Sequence, residues 1–546
     1  MKLYLDVVRD RYQDSVRLMR ITEALRARAG IESAGVVMAT PANVELLRAG
    51  DLWSEGEDPA GPNDIVITVR AESDAVGEAA VAEGVALLVA AAVTRRTAYA
   101  SVAAAFADAP ATAVGFVAVP GEYAAGEARR VIESGRSVIV FSDNVSLGDE
   151  LALKAEAHAR GLLVMGPDAG TVLLGGLGIG FCNALPGGRV GIVAASGTGA
   201  QAVSSMLANS GEGISAIIGV GSHDTSDEVG GISMLDALDA LDRDASTEVV
   251  ILIAKAIGAR TQRALLSRIG QMQTPVVTLV PGWSSGWITA AAGASPAFSI
   301  ADAAARVSAI LDRPAPRLRR PPSRARSTGL LIKGLFAGGT LAQETRAALV
   351  ALSDGDPSGE APGIDVVDLG DDAYTRGRPH PMIAPSLVAE ELRRAAANRA
   401  VGVVVFDVVL GYGAHPDPVS ILVPALAGLG RPRPDGLAVT PIAILCGSQD
   451  DPQGYRPTRE ALEQAGCLVF EDPVEAAAAA IAAVSGDPDD VPQGTWKLPA
   501  PDAVITIGTD WFADAIESQG GTVLHVEWRP AAGGDDELAS ILGRLT

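Results

Sequence analysis

Two glycine-rich turns stand out as places where this chain could do chemistry: Ser196-Gly197-Thr198-Gly199 and Leu410-Gly411-Tyr412-Gly413-Ala414-His415. Each follows an apolar β-type run, Val190 to Ala195 in the first case and Val401 to Phe406 in the second, and each precedes a helix-compatible stretch. A helix N-terminus built from small residues offers unpaired backbone N–H groups and the positive end of the helix dipole, so either turn suits an anion. Two such turns converging on one point would hold a phosphoryl group. On this reading Ser196, Gly197, Thr198, Gly199, Gly411, Tyr412, Gly413 and Ala414 are candidate phosphate-binding residues. A tight N-cap is the competing reading of Ser196-Gly197-Thr198.

His415 is the candidate catalytic residue, because an imidazole titrates near neutrality and can protonate a leaving group or orient an anion. Its neighbours Pro416 and Asp417 are equally consistent with a simple helix start. Arg376, Arg378 and His380 lie in a Pro/Gly-rich loop that could bind a carboxylate or make a subunit contact. His223 and Asp224 follow a strand and Gly219-Val220-Gly221-Ser222, either at a ligand-binding sheet edge or in a solvated turn. Lys255, just after an apolar strand, could meet an anion or lie on the surface. Cys182 and Cys446 read as small packing residues, and neither the three cysteines nor the five dispersed histidines make a metal-binding spacing. No metal is expected.

These residues must be positioned by α/β domains. The chain has 546 residues, 48% of them hydrophobic and only 4% aromatic, which suits large cores filled by Ala, Val, Leu and Ile. A net charge of −23 argues against a nucleic-acid partner, whose backbone is bound through clustered Lys and Arg. The sparse cysteines, and a start on the strand-like Leu3 to Val8 with no basic and apolar leader, give the expectation of a cytoplasmic protein with no membrane span.

Alternating strand and helix patterns predict several doubly wound, mainly parallel-sheet domains. A small α/β domain is expected over 1–110, and further units over 111–186, 187–311 and 329–486. Residues 312–328 contain four prolines and six arginines and read as a linker. A second linker, rich in Asp and Pro, opens the tail at 487–546, which carries two strand-like segments.

Residues 111–300 resemble the α subunit of succinyl-CoA synthetase and related ADP-forming acyl-CoA synthetases. The resemblance rests on Val119-Pro120, Gly166-Pro167-Asp168, Gly188 to Val193 with Ser196-Gly197-Thr198, and Gly219-Val220-Gly221. Residues 329–480 resemble the C-terminal domain of the β subunit, with Gly338-Gly339 at a helix start and the Gly411/Gly413 turn in the place of that family's second phosphate-facing helix. Over nearly its whole length the chain resembles the FdrA family, through Tyr12-Gln13-Asp14-Ser15-Val16, Met38 to Asn43, Glu228 to Ile232, Gly338 to Leu341, Gly377 to Met382, Asp407 to Pro418 and Cys446-Gly447-Ser448.

That resemblance implies a CoA-ligase fold, with a CoA-binding-type domain at 111–186 and flavodoxin-type domains at 187–311 and 329–486. It also implies a subunit of a phosphate-dependent carbamoyltransferase, in which an oxalurate-like ureido acid and phosphate give an oxamate-like amide and carbamoyl phosphate. Two further subunits and an oligomeric assembly are the implied partners, with the tail as an assembly element. Phosphate or carbamoyl phosphate is the expected substrate and no cofactor is certain. The synthetases' phosphorylated histidine has no counterpart in Pro281 to Gly293, and their glycine-rich CoA fingerprint is replaced by Ala39-Thr40-Pro41-Ala42-Asn43, which leaves CoA a doubtful ligand. An ADP-forming acyl-CoA ligase and a non-catalytic phosphate-binding scaffold are the other functions the sequence accommodates.

Overall fold

A computed structural model describes residues 1–11, 13, 15–26, 28–54, 60–90, 99, 101–109, 113–280, 294–316, 331–353, 363–375, 379–429, 438–485, 504–507, 517–518 and 522–526. Contacts divide the chain into two units, Met1–Asp487 and Pro488–Thr546. Of the second unit, the structure describes chiefly a parallel pair of strands, Val504–Ile507 and Val523–Val526.

The first unit opens with β1 (Lys2–Val8), α1 (Ser15–Arg26), β2 (Ile31–Met38), α2 (Pro41–Ala49), β3 (Ile65–Ala71) and α3 (Asp74–Ala90). The strands form a sheet in the order β1-β3-β2 with antiparallel pairing throughout, unlike the parallel sheets that follow. Ile65, Ile67 and Val69 on the central strand meet Leu18, Leu25 and Leu88 from the helices on one face. The other face closes over Leu47 and Leu52. A helix α4 (Val102–Asp108) leads to a small parallel sheet of β4 (Gly115–Val117), β5 (Val138–Val140) and β6 (Val164–Met165), interleaved with α5 (Gly121–Glu133) and α6 (Leu147–Ala159).

A seven-stranded sheet comes next. The hairpin β7 (Thr171–Leu174) and β8 (Leu177–Gly180), joined at Gly175-Gly176 with φ of 56° and 79°, forms its antiparallel edge. β9 (Gly187–Ala194), β10 (Ile214–Gly219), β11 (Val249–Ile253), β12 (Val276–Leu279) and β13 (Ala294–Ala297) form the parallel remainder. The intervening helices are α7 (Gly197–Asn209), α8 (Ile232–Arg243) and α9 (Ala259–Ile269), and α10 (Ile300–Ile310) follows β13.

The five-stranded sheet is wholly parallel: β14 (Leu331–Phe336), β15 (Gly363–Asp368), β16 (Val401–Val409), β17 (Thr440–Cys446) and β18 (Leu468–Phe470), in the order β15-β14-β16-β17-β18. Its helices are α11 (Gly339–Ser353), α12 (Ser386–Ala397), α13 (Val419–Leu426), α14 (Tyr455–Gln464) and α15 (Pro473–Ser485). All nine residues of β16 are buried, as expected for a Val-rich central strand covered on both faces.

One hydrophobic core joins the two large sheets. It runs from Ile192, Val203 and Met206 through Ile300 and Leu341 to Phe336, Ala476 and Ala480, so that α7, α10, α11 and α15 share a single apolar interior. Polar ties reinforce it. The Asn183 amide donates to the Leu410 carbonyl (3.0 Å) and to Asp451 (2.8 Å), and Asn209 Nδ2 donates to the Gly447 carbonyl (3.0 Å). Among the described residues no helix is long and apolar enough to cross a membrane.

Candidate functional site

The shared core brings the N-termini of α7 and α11 together. Ser196 precedes α7 in an extended conformation, and its Oγ accepts the Gly199 N–H at 3.2 Å, so it is a true N-cap. The same Oγ hydrogen-bonds Thr340 Oγ1, in the first turn of α11. The approach leaves no room for side chains. A Cβ on Gly338 would lie 2.9 Å from Thr198 Cγ2, and one on Gly199 would lie 3.2 Å from Thr340 Cγ2. The first N–H groups of a helix lack intrahelical acceptors, so two positive helix ends, one from each large sheet, border the same point.

Charged groups surround this junction. Asp407, within the otherwise apolar β16, accepts the Ala337 N–H (2.7 Å) and the Gly338 N–H (2.8 Å), fixing the turn that leads into α11. Complete burial pushes its pKa up to about 7, against the pull of those two N–H groups. Asp368, at the end of β15, is also held above the usual carboxylate range, first by burial and then by Asp371; the Gly370 N–H, at 3.0 Å, and Lys255 oppose the rise. A Cβ built on Gly339 would lie 2.5 Å from Asp368 Oδ2 and 2.9 Å from Lys255 Nζ. The Lys255 ammonium and the Asp368 carboxylate therefore flank the entrance to α11.

His380 completes this group. A Cβ on Gly370 would lie 2.7 Å from His380 Nε2 and 3.2 Å from Asp368 Oδ1. The His380 ring packs on Phe181 at 5.9 Å between centroids, and its Nδ1 accepts the Met382 N–H at 3.2 Å. Burial pulls its pKa down to about 4.

The Gly411 turn does something else. Gly411 N–H donates to Gln453 Oε1 (3.0 Å), Tyr412 N–H to the Cys182 carbonyl (2.7 Å), and Gln453 Nε2 returns bonds to the carbonyls of Gly411 and His415. Gly411, with φ of 116°, would drive a Cβ to 2.6 Å from the Cys182 carbonyl oxygen, and Gly413, with φ of 78°, to 2.9 Å from that of Gly180. Residues 411–414 thus form a tight crossing against the stretch after the β7–β8 hairpin, and the helix that follows begins only at Val419. The turn that meets Ser196 is Gly338-Gly339-Thr340.

His415 N–H donates to the Met382 carbonyl (2.7 Å), and His415 Nδ1 accepts the Asp417 N–H (3.1 Å). The ring feels the charges of Arg20 and Glu23 on α1, and its pKa is lowered mainly by burial. A shallow hollow of 160 Å³ lined by Leu173, Asn183, Leu185, Pro186 and Tyr412 lies on this side and shares no residue with the junction at Thr340.

His223 and Asp224 are drawn into a different network. Asp224 is fully buried, accepts from Ser233 N (3.2 Å) and Met234 N (2.8 Å) at the start of α8, and pairs with the buried Lys154 at 2.8 Å. Lys154 also bonds Glu150 (2.7 Å) and the Val220 carbonyl (3.1 Å), while His223 Nδ1 lies 3.0 Å from the other Glu150 oxygen. These groups tie α6 to the seven-stranded sheet. Arg376 and Arg378 lie outside the described residues, as does Pro281 to Gly293. Cys182 and Cys446 are buried, which pushes the Cys182 thiol up to about 12 and raises that of Cys446.

Sequence alone gives no site role to Thr340 and Asp407, which stand only within the motifs Gly338 to Leu341 and Asp407 to Pro418, or to Asp368. The available signal was an aspartate inside or closing a Val-rich strand, a costly placement unless its oxygens have work to do.

Comparison with known proteins follows the same division. A CoA-ligase family model matches residues 335–483, a succinyl-CoA ligase-like flavodoxin model matches 187–313, and a model described as AllF, heavy metal-associated domain, matches 1–103. Residues 1–103 contain no cysteine and no histidine, so they do not fit a soft-metal site. Nor do the described residues include a cluster of three or more His, Cys, Asp or Glu placed to hold a metal ion.

The succinate–CoA ligase [ADP-forming] α subunit of Methanothermobacter thermautotrophicus is 29% identical over 167 residues, 30% of this chain. The match spans 55% of that subunit. A solved structure of the dinucleotide-forming acetyl-coenzyme A synthetase 1 of Ca. Korarchaeum cryptofilum, in complex with phosphate and ADP, aligns over 72% of this chain and 85% of its own at 18% identity and a TM-score of 0.33. The uncharacterized protein YahF of Escherichia coli K12 is 35% identical over 432 residues, covering 75% of this chain and 84% of its own. With that identity over most of both chains, the protein belongs to the YahF family, and its two large sheets carry the succinyl-CoA ligase-like flavodoxin and CoA-ligase folds.

Proposed function

We propose that the chain is an FdrA-type subunit of a phosphate-dependent carbamoyltransferase, moving a carbamoyl group between an oxalurate-like ureido acid and phosphate in company with two further subunits. The observation that carries this reading is the junction of α7 and α11, where two helix N-termini and Lys255 converge on one small-residue-lined point. A phosphate dianion held there is neutralised by helix dipoles and an ammonium without forming a bond to the protein. Pro281 to Gly293 contains no histidine, which favours transfer to phosphate itself over transfer through a phosphorylated side chain.

In the direction from ureido acid, a phosphate oxygen bonds to the carbamoyl carbon and the bond from that carbon to the ureido nitrogen breaks. The proton of the attacking phosphate hydroxyl passes to the departing nitrogen. Asp368, beside Lys255 and held above the ordinary carboxylate range, is placed to carry it.

An ADP-forming acyl-CoA ligase is the second reading, favoured by the two family models that span the large sheets. The experiment that separates them incubates the purified chain, alone and with its co-expressed partner subunits, with carbamoyl phosphate and oxamate. Phosphate release and ureido product are measured together. Ureido product that is lost in Lys255→Ala supports carbamoyl transfer. Absence of that product, with phosphate release that requires ATP, CoA and a carboxylic acid, supports the ligase.

A further inference from the structure

Among the described residues His380 Nε2 has no protein hydrogen-bond partner, and the half-buried ring is contacted on two sides. Phe181 lies beside the ring at 5.9 Å between centroids, and the Met382 N–H occupies Nδ1. An imidazole nitrogen that accepts a backbone N–H cannot also carry a proton, so the uncharged ring must bear its hydrogen on Nε2. Nε2 lies against Gly370, where a Cβ would meet it at 2.7 Å, the Ala337 carbonyl oxygen at 2.5 Å and Asp368 Oδ1 at 3.2 Å, while Asp368 Oδ2 and Lys255 Nζ border Gly339. Donor and carboxylate therefore share the surroundings of Gly370, and carboxylate and ammonium share those of Gly339, the residue before Thr340 of the junction.

Building on the carbamoyl-transfer reading, we propose that His380 is a catalytic residue that acts uncharged, donating its Nε2–H to the carbonyl oxygen of the carbamoyl group while phosphate adds to the carbon. When the phosphate oxygen bonds to that carbon, the carbonyl π electrons move onto oxygen. When the bond to the ureido nitrogen breaks, they return. Nε2–H stabilises the intermediate oxyanion throughout and keeps its own proton, so His380 neither gains nor loses charge in the cycle. A neutral donor suits this position because a second fixed cation beside Lys255 would pair with Asp368 and quench its exchange of protons. Burial, which disfavours the imidazolium, keeps the ring uncharged at neutral pH.

Two measurements test this. The first is a ¹⁵N spectrum of the full chain labelled at histidine, assigned through His380→Gln and followed from pH 5 to 8. The expected result is an Nε2–H tautomer that does not titrate in that range; a protonation midpoint between 6 and 7, or a proton on Nδ1, overturns the proposal. The second is ureido-product formation by the assembled complex. His380→Ala should lower the rate about 100-fold, the usual cost of one lost oxyanion donor. His380→Gln, whose side-chain amide can still present an N–H, should recover at least part of that loss. Both variants should bind inorganic phosphate as the wild type does, which also reports that they fold. Equal rates for the Ala and Gln variants, or phosphate binding lost along with the rate, overturn the assignment. A wild-type complex that binds phosphate but forms no ureido product removes the carbamoyl-transfer reading and the role of His380 with it; a wild-type product that persists in His380→Ala removes the role alone.

Discussion

Ser196 Oγ and Thr340 Oγ1 are hydrogen-bonded to each other although 144 residues separate them in sequence. The bond links the cap of α7, on the seven-stranded sheet, to the first turn of α11, on the five-stranded sheet. Removing either hydroxyl should loosen the junction. Ser196→Ala also deletes an N-cap, worth about 1 kcal/mol, and the Ser196→Ala/Thr340→Ala cycle should reveal a coupling of about 0.5–1.5 kcal/mol, the range of one hydrogen bond. Denaturant titration of the wild type, two single variants and double variant measures it; strict additivity would mean that the hydroxyl pair carries no energy.

Lys255 should dominate anion affinity. A charge-assisted contact contributes about 1.5–3 kcal/mol, so Lys255→Ala should weaken inorganic phosphate binding by about 10- to 100-fold. His415→Ala, at a residue that faces Arg20 and Glu23 on α1, should leave it within about twofold. Calorimetric titration of phosphate into both variants decides between the two places. A large loss at His415 with none at Lys255 would return the site to the Gly411 turn.

Glu344 gives a pH dependence of known sign. It accepts the Ile300 N–H at 2.9 Å at the start of α10, and burial, reinforced by Asp472, pushes its pKa up to about 8. The folded state then holds a proton that the unfolded chain releases near 4.5, so stability is greatest below pH 4.5 as far as this group is concerned and falls as pH rises from there to about 8. Glu344→Gln should flatten that decline in melting temperature between pH 5 and 8. An unchanged slope would show that Glu344 titrates normally.

Lys154 holds the small parallel sheet onto the larger one. Its ammonium lies between Glu150 and Asp224 with no exposure of the Lys side chain, so Lys154→Met leaves two buried carboxylates without their counter-charge. A loss of about 3–5 kcal/mol is expected for breaking such a cluster from one side. Limited proteolysis should then cut within residues 113–186 before the sheets that follow. Resistance equal to wild type would contradict this.

Much of the fold was legible because Val- and Ile-rich strands alternate with helices that begin at small or capping residues, as at Ser196-Gly197. The apolar run Val401 to Phe406 identified the centre of the last sheet for the same reason. The hairpin at Thr171 to Gly180 was missed, since its two strands are only four residues each and one is Gly-rich. The antiparallel pairing of the first sheet depends on contacts between distant strands, which local periodicity does not record.

The elements of the candidate junction were legible separately. Ser196 and the Gly338-Gly339 helix start were both visible, but the sequence reading paired Ser196 with Gly411 and Gly413. A glycine that lets two backbones cross and a glycine that admits an anion look alike in sequence; only the Cys182 carbonyl beside Gly411 separates them. Lys255 is visible as a cation after a strand, whereas Asp368 is one residue of a strand-like run and Asp407 only opens the motif Asp407 to Pro418. His380 was identified by its motif, but its protonation state depends on Met382 and Phe181, one of them almost two hundred residues away.

The core that joins the two large sheets has a kinetic meaning. The similar α subunit of Methanothermobacter is named as one part of a larger ligase, whereas here both layers occur in one chain and share an interior from Ile192 to Ala480. Closure of the α7–α11 junction is accordingly a unimolecular event, with an effective concentration set by covalent connection in place of the cellular abundance of a partner. Dilution that would separate a two-chain version of this junction should leave this one assembled.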